Sequence, residues 1–197
     1  MQKPNSSKII LGSSSIYRNQ LLGKILDTFE AIPPDIDENN YKSLDARKHS
    51  QIIALNKADS ISRNQKDSVI ICADQIGEID NKALTKPLNE ENALSQLMSY
   101  SNNKANFYTS SVIFDQRTER HFSHTDKTVV YFDEITHSLA KAYLKKDKSL
   151  DCAGSFKVES AGSVLFKRIE TNDPSALVGL PLIWVCSILK KLGHIIR

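Results

Sequence analysis

The chain has 197 residues, of which 40% are apolar and 25% charged, a composition typical of globular proteins that bury a substantial core. Its formal net charge of +3 is too small to predict binding to nucleic acid or to a membrane. Three widely spaced cysteines favour neither a disulfide framework nor a zinc site. No stretch resembles a signal peptide or reaches the roughly 20 apolar residues of a membrane span, so we expect a cytoplasmic protein.

The first half of the chain predicts alternating strands and helices. Residues 9–11 are a short apolar run that predicts a buried strand, and the apolar spacing over 21–26 predicts a helix. Residues 33–40 form a turn-rich acidic loop. A helix is expected at about 45–62. The strand at 69–74 that follows is continuously apolar, which indicates that it is covered on both faces.

The second half predicts helices separated by a pair of long strands. Asn89, followed by two acids, predicts the start of a helix, because an Asx cap and acidic residues stabilise a helix N-terminus. The inner face of this helix is expected to consist of Ala93, Leu94, Leu97 and Met98. Residues 105–132 indicate two strands around a polar stretch. A helix at 138–145, a strand at 163–168 and a helix at 181–192 complete a mixed α/β pattern.

Three serines, residues 13–15, stand where the first strand turns into a helix. Such a turn offers free backbone N–H groups and hydroxyls to a phosphate. Taken alone, the segment favours a simpler role in which Ser14 or Ser15 caps the helix. Arg18 favours the phosphate, because it lies one helical turn before Leu22 and therefore along the inward face.

Lys57 falls within the apolar arc of the second predicted helix. Its neighbours one turn away are Ile53 and Ile61. Because lysines are rarely buried without a partner, we expect a carboxylate or a bound phosphate at its ammonium group. The alternative is an aliphatic stem on the core with the ammonium group in solvent.

Asp74 ends the predicted apolar strand, at the edge where open α/β sheets bind ligands. Burial there without a cation would be costly, although a turn cap is the alternative. Lys86 follows a short turn and could return toward Asp74, whereas by itself it would be an ordinary surface lysine. The acidic loop adds Asp35, Asp37 and Glu38. Carboxylates suited to a hard divalent cation, combined with basic residues suited to a polyphosphate, predict hydrolysis of a phosphoanhydride.

Other well-known enzyme motifs are absent. The chain has no GxxxxGK[ST], HExxH, GxSxG or GxGxxG, so P-loop, zincin, α/β-hydrolase and Rossmann interpretations lack support. Its five histidines show no spacing typical of metal ligands.

Taken together, these segments resemble the Maf family over nearly the whole chain. The matching segments, in order, are residues 11–15 with Arg18, then 37–38, 56–58, 73–75, 86–88, 152–156 and 177–182. The resemblance implies a mixed twisted sheet flanked by helices, with two lobes around a central cleft, a Maf- or ITPase-like α/β fold. It implies a single domain over residues 1–197 without a separate linker. It also implies hydrolysis of nucleoside triphosphates to the monophosphate and pyrophosphate.

Within that family, the chain is similar to the branch associated with 7-methyl-GTP. The similarity lies in Gln75 after Asp74, in Lys157 with Glu159, and in residues 168–174. It implies that Tyr17, Gln75 and Glu159 carry substrate selectivity. An N7-methylated guanine is cationic, and both an aromatic ring and a carboxylate attract a cation. A dTTP/UTP or broader modified-nucleotide pyrophosphatase is the alternative.

The same resemblance implies roles for the remaining site residues. Asp74 and Glu38 would hold Mg²⁺ or Mn²⁺, while the triphosphate would be bound by Ser13, Arg18, Lys57 and Lys86. Asp74 is the implied proton acceptor, yet a carboxylate surrounded by cations is a weak base. It would therefore either accept the proton or position the metal and the water. The family also implies a homodimer that acts on a small nucleotide, without nucleic-acid or membrane partners.

A function from another class stays open: a non-catalytic nucleotide- or nucleic-acid-binding regulator of cell division. The acids argue against it, because a binder of polyanions has no use for Asp74 and Glu38. The chain also departs from the family's pattern. Ile16 and Asn19 replace a Pro and a basic residue, and Ser110 replaces a Gly. None of these changes removes a proposed catalytic group, so we expect activity.

Overall fold

A computed structural model describes residues 7–38 and 45–194 of the chain. Within these ranges there are seven strands: β1 (Lys8–Gly12), β2 (Glu30–Ala31), β3 (Ser68–Ile79), β4 (Lys82–Ala83), β5 (Lys104–Asp115), β6 (Arg120–Phe132) and β7 (Phe166–Glu170). The same ranges contain five α-helices: α1 (Ile16–Gly23), α2 (Ala46–Ser62), α3 (Glu90–Ser99), α4 (His137–Lys146) and α5 (Leu182–Lys191). Two 3₁₀ helices cover Ala161–Leu165 and Ala176–Val178. The prediction of a mixed α/β fold is confirmed.

The strands form one mixed sheet in the order β2-β1-β3-β5-β6-β7, with β4 paired to β3. Strand β1 runs parallel to β2 and to β3, whereas β4 is antiparallel to β3 and β7 is antiparallel to β6. The parallel strands β1 and β3 pair from Lys8 with Ser68 to Gly12 with Cys72. This register places the turn after β1 beside the residues of β3 that directly follow Cys72.

The chain divides into two compact units. The first comprises residues 1–75, 109–126 and 173–197, and the second comprises 76–108 and 127–172. Strands β3, β5 and β6 pass from one unit into the other along the chain. The central cleft and the single-domain organisation stay predictions.

The first unit buries both faces of β1 and β3, as the continuous apolar runs predict. One cluster includes Leu11 and Ile71, and the other includes Ile10 and Ile70. All four side chains are fully buried, and burial of such a side chain stabilises a fold by about 1.5–3 kcal/mol. Consecutive residues thus contribute to opposite faces, because side chains alternate along a strand.

The cap predicted at Asn89 is confirmed, and Asp45, the first residue of the predicted second helix, also acts as a cap. Asp45 accepts a hydrogen bond from the backbone N–H of Lys48, and Asn89 accepts one from Asn92. Helix α1 ends at Gly23, earlier than the apolar spacing predicts. The inner face of α3 is buried at Ala93 and Leu97, whereas Met98 is exposed, so its placement on that face was wrong.

Two predicted strand boundaries are also wrong. Asp74 does not end β3, which continues to Ile79 because its last residues pair with β4. The strand predicted at 163–168 begins only at Phe166. Its first part belongs to a 3₁₀ helix that buries Gly162 and Leu165, three residues apart as the 3₁₀ repeat requires.

Several other predictions concern the described ranges. All three cysteines lie within them, and none forms a disulfide there. No helix of the described part is long and apolar enough to cross a membrane. Asn39 and Asn40, at the end of the predicted acidic loop, lie outside the described residues.

Candidate functional site

Lys57, Asp74 and Glu38 form an ion cluster in the first unit. The ammonium Nζ of Lys57 lies 2.8 Å from Oδ1 of Asp74 and 2.8 Å from Oε1 of Glu38. Lys57 and Asp74 are buried, whereas the Glu38 side chain is 57% exposed. The structure thus supplies the carboxylate partner that the helical position of Lys57 predicts, and it supplies a second one.

The ion cluster has one positive charge for two carboxylates. Oδ1 of Asp74 accepts the hydrogen bond from Lys57, and no group of the described residues donates to Oδ2. Within the described ranges, the buried side-chain polar atom that lacks a hydrogen bond is Oγ of Ser111. Oδ2 of Asp74 also lacks a hydrogen bond there but is not among such buried atoms, so it is exposed to solvent. The cluster therefore presents acceptor oxygens that lack a matching cation.

These carboxylates fit a divalent cation by their chemistry. The described residues include no group of three or more His, Cys, Asp or Glu side chains that could hold a metal ion. Mg²⁺, however, is commonly held by one or two carboxylates, with water and substrate phosphates completing its coordination. Asp74 and Glu38 provide that smaller set of ligands.

The serine turn lies at the same end of the sheet as Asp74. Gly12, the last residue of β1, pairs with Cys72, and any Cβ at Gly12 would overlap the Sγ of Cys72. This close approach of two parallel strands explains the glycine. Because Asp74 lies two residues beyond Cys72, it and Ser13 both follow the carboxyl end of β1, where ligands bind in such sheets.

Within the turn, two serines have different roles. Ser15 caps α1 and accepts a hydrogen bond from the backbone N–H of Arg18, so the capping interpretation is confirmed for this residue. Oγ of Ser13 accepts hydrogen bonds from the backbone N–H of Ser15 at 3.1 Å and from Nη1 of Arg18 at 3.5 Å. Ser13 thus links the turn to the guanidinium group.

Arg18 is fixed by the segment after the second 3₁₀ helix. Its Nε donates to the carbonyl oxygen of Gly179 at 2.9 Å. Gly179 has a φ of 125°, and a Cβ there would lie 3.3 Å from this Nε, so a side chain is disfavoured on both grounds. Burial lowers the pKa of Arg18, whereas the charges of Asp74 and Glu38 raise it. Arg18 therefore lies within the electrostatic range of the ion cluster.

Gln75 follows Asp74 on β3 and points to the other face of the sheet. Its Nε2 donates to Oγ1 of Thr109 at 2.9 Å and to the carbonyl oxygens of Ala176 at 2.9 Å and Leu177 at 3.0 Å. The hydroxyl of Thr109 also donates to Ala176, at 2.8 Å. Adjacent residues of one strand thus place a charged cluster on one face and a neutral hydrogen-bond network on the other.

The other predicted site residues are distributed over both units. Tyr17 lies half-buried on α1 in the first unit, whereas Lys86 and Glu159 are exposed and belong to the second unit. Their roles stay predictions. The backbone carbonyls of Ala176, Leu177 and Gly179 were not predicted. Leu177 and Gly179 lie within the family motif at 177–182, but a backbone carbonyl leaves no signature in the residue type.

Comparisons with known proteins identify the family of this chain. The model described as "Maf-like protein" matches residues 8–192. A protein of Vibrio parahaemolyticus named 7-methyl-GTP pyrophosphatase is 38% identical over 94% of this chain and 96% of its own length. Relatives with the same name in Aliivibrio fischeri and Colwellia psychrerythraea are 37% and 32% identical, over 95% and 94% of this chain and 97% and 92% of their own lengths.

A HAM1 protein from Coxiella burnetii is a solved structure that matches 64% of this chain and 73% of its own chain, at 13% identity and a TM-score of 0.44. This similarity is too low to add to the assignment, which depends on the family model and the full-length relatives. The chain belongs to the Maf family.

Proposed function

We propose that this protein is a nucleoside triphosphate pyrophosphatase that hydrolyses 7-methyl-GTP to 7-methyl-GMP and pyrophosphate. The observation that carries the proposal is the ion cluster, in which buried Lys57 contacts two carboxylates beside a turn able to bind phosphate. The names of three relatives that match this chain over nearly their whole length support the substrate.

The basic groups bind the triphosphate in this proposal. Arg18 and Lys57 neutralise its negative charge, while Ser13 and the N-terminus of α1 offer hydrogen-bond donors. Lys86 of the second unit is a further proposed contact. Because charge accumulates on the pyrophosphate leaving group, cations placed there stabilise the transition state more than the bound substrate.

The acids act on the water and on the cation. Asp74 and Glu38 would hold Mg²⁺ or Mn²⁺, which supplies charge neutralisation and phosphate polarisation when bound. Oδ2 of Asp74, which has no donor among the described residues, orients a water molecule toward the α-phosphorus or accepts its proton. The water oxygen forms a bond to the α-phosphorus, and the bond from this phosphorus to the bridging oxygen breaks.

Selectivity is proposed to come from Tyr17, Gln75 and Glu159. The ring of Tyr17 and the carboxylate of Glu159 would attract the positive charge of N7-methylguanine. Uncharged bases lack this attraction. The proposal therefore expects 7-methyl-GTP to be a better substrate than GTP itself.

The direct test is pyrophosphate release by the purified protein with Mg²⁺ or Mn²⁺, using 7-methyl-GTP, GTP, dTTP, UTP and CTP. We expect the largest kcat/KM for 7-methyl-GTP. A preference for dTTP or UTP would retain the ion-cluster chemistry and contradict the selectivity. Absence of release from every nucleotide would contradict the enzyme and support a non-catalytic binding protein.

We further propose that the protein acts in the cytoplasm as a homodimer, on a small nucleotide and without a nucleic-acid partner. The family resemblance supports this proposal. Light scattering on the purified protein would test the dimer. A binding assay with duplex DNA over a range of salt concentrations would test the absence of a nucleic-acid partner, because such binding weakens steeply as salt rises.

A further inference from the structure

The carboxamide of Gln75 is held in one orientation by three acceptors. Its Nε2 faces Oγ1 of Thr109 and the carbonyl oxygens of Ala176 and Leu177, all within 3.0 Å. A rotated amide would place Oε1 against two carbonyl oxygens, where no hydrogen is available. The nitrogen must therefore face this network.

Thr109 contributes to this orientation through both functions of its hydroxyl group. The hydroxyl hydrogen is directed to the carbonyl oxygen of Ala176, at 2.8 Å. Its oxygen lone pairs are then left to accept from Gln75. Thr109 is fully buried, so water does not compete for either hydrogen bond. The hydroxyl thus behaves as an acceptor toward Gln75.

The backbone that carries the carbonyl groups of Ala176 and Leu177 is itself held in place by side-chain hydrogen bonds. Asp173 is buried, and its carboxylate accepts hydrogen bonds from the backbone N–H and hydroxyl of Ser175, at 3.0 and 2.5 Å, and from the N–H of Ile183, at 2.7 Å. The hydroxyl of Ser175 also accepts from the N–H of Leu182 at 2.8 Å. The side chains of Asp173 and Ser175 therefore connect the two ends of the segment 173–183.

The opposite end of the Gln75 carboxamide has no hydrogen-bond partner among residues 7–38 and 45–194. No group of the described residues donates to Oε1, and this atom is not among the buried polar atoms of those residues that lack a hydrogen bond, so it reaches solvent. The carboxamide has no freedom to exchange its nitrogen for its oxygen at that position. Gln75 thus presents an acceptor and no donor.

We propose that Thr109 is a positioning residue for substrate selectivity, which holds Gln75 so that its Oε1 accepts a hydrogen bond from an N–H group of the nucleobase. The inference rests on the proposed function. Guanine and 7-methylguanine carry two adjacent N–H donors, on N1 and on the exocyclic amino group. An acceptor that is held in place distinguishes strongly between bases, because a base without an N–H group at that position leaves the acceptor without a hydrogen bond.

The test compares Thr109→Val with Thr109→Ser in the full-length protein. Valine retains the shape and loses the hydroxyl, whereas serine retains the hydroxyl. Uracil also carries an N–H group, on N3, so the reference base is cytosine, whose N3 is an acceptor. We expect Thr109→Val to lower the preference for 7-methyl-GTP over CTP, measured as the ratio of kcat/KM values, by about fivefold, mainly through a higher KM. Thr109→Ser should stay within about twofold of the wild type.

A double-mutant comparison separates positioning from a general structural effect. With Gln75→Ala already present, Thr109→Val should not change the preference further. An equal loss of preference in both backgrounds would overturn the proposal, as would an unchanged preference in Thr109→Val itself.

Gln75→Glu provides a second test if Thr109→Val does not fold. This substitution retains an acceptor at Oε1 but directs a second oxygen at the two carbonyl groups. We expect the preference for 7-methyl-GTP to be lost, and its retention would overturn the proposal. If the wild type releases no pyrophosphate, the proposed function and this inference both fall. If it releases pyrophosphate and the variants keep its preference, only this inference falls.

Discussion

Two of the buried aspartates of the first unit, Asp74 on β3 and Asp115 on β5, lie on neighbouring strands and differ in how completely their oxygens are satisfied. Asp115, at the end of β5, accepts hydrogen bonds at both oxygens. Its donors are Nε and Nη2 of Arg117, each at 2.8 Å, with the Arg117 backbone N–H and the Thr118 hydroxyl. Asp74 instead contacts Lys57, which lies on a different element 17 residues away.

This difference shows that burial of an acid does not by itself indicate a site. Asp115 is paired with a cation from the same turn, and each of its oxygens already accepts two hydrogen bonds, so its charge is matched without a ligand. Asp74 shares its cation with Glu38 and keeps one oxygen open to solvent. Incomplete satisfaction of a buried charge is the feature that points to chemistry.

The largest effect that this comparison predicts is the loss of activity in Asp74→Asn. The amide removes the negative charge and the capacity to accept a proton, while Lys57 keeps Glu38 as a partner. We expect kcat for 7-methyl-GTP to fall roughly a thousandfold, with the fold retained in circular dichroism.

Asp115→Asn is the matched control, because it removes the charge of a buried aspartate on the neighbouring strand. Its activity at 25 °C should remain within about twofold of the wild type. Near-normal turnover in Asp74→Asn would remove Asp74 from the mechanism and make the two aspartates equivalent.

Lys57→Gln should have the next largest effect. It removes the cation shared by the two carboxylates and a proposed phosphate contact, so we expect kcat/KM to fall roughly a hundredfold. Lys48→Gln is the control, because Lys48 lies on the same helix and its side chain is 69% exposed. Equal activity in both variants would indicate that Lys57 only neutralises a buried acid, as Arg117 does.

Much of the ion cluster could be predicted because its signals are local. The position of Lys57 among apolar residues follows from the helical repeat, and the apolar run before Asp74 indicates a buried strand. Neither pattern could show that β3 continues beyond Asp74 to Glu78 and Ile79, which pair with β4. Boundaries of elements depend on partners that a local pattern does not contain.

The hydrogen bonds of the Gln75 side chain were harder to predict from the sequence. Thr109 and Ala176 lie 34 and 101 residues away from Gln75, and two of its three acceptors are backbone carbonyls. The resemblance to the family implied a role for Gln75 in selectivity. The orientation of its carboxamide depends on contacts between distant segments, which only the fold brings together.

The smallest predicted effect concerns stability and pH at Asp115. Burial raises the pKa of Asp115, but the hydrogen bonds and charge of Arg117 outweigh it, so the pKa in the folded state is lowered from its ordinary value of 3.8. A lowered folded-state pKa stabilises the fold above pH 3.8, and this contribution is lost as the pH falls through the folded-state value.

Asp115→Asn should therefore reduce the free energy of unfolding by about 2 kcal/mol at pH 7, since it removes hydrogen bonds to a buried charge. The difference from the wild type should shrink as the pH falls below 3.8. Urea denaturation of both proteins at pH 7 and at pH 3 would measure it. A difference that stays constant with pH would indicate lost packing or neutral hydrogen bonds instead, and Asp115 would then not be the charged, fully satisfied counterpart of Asp74.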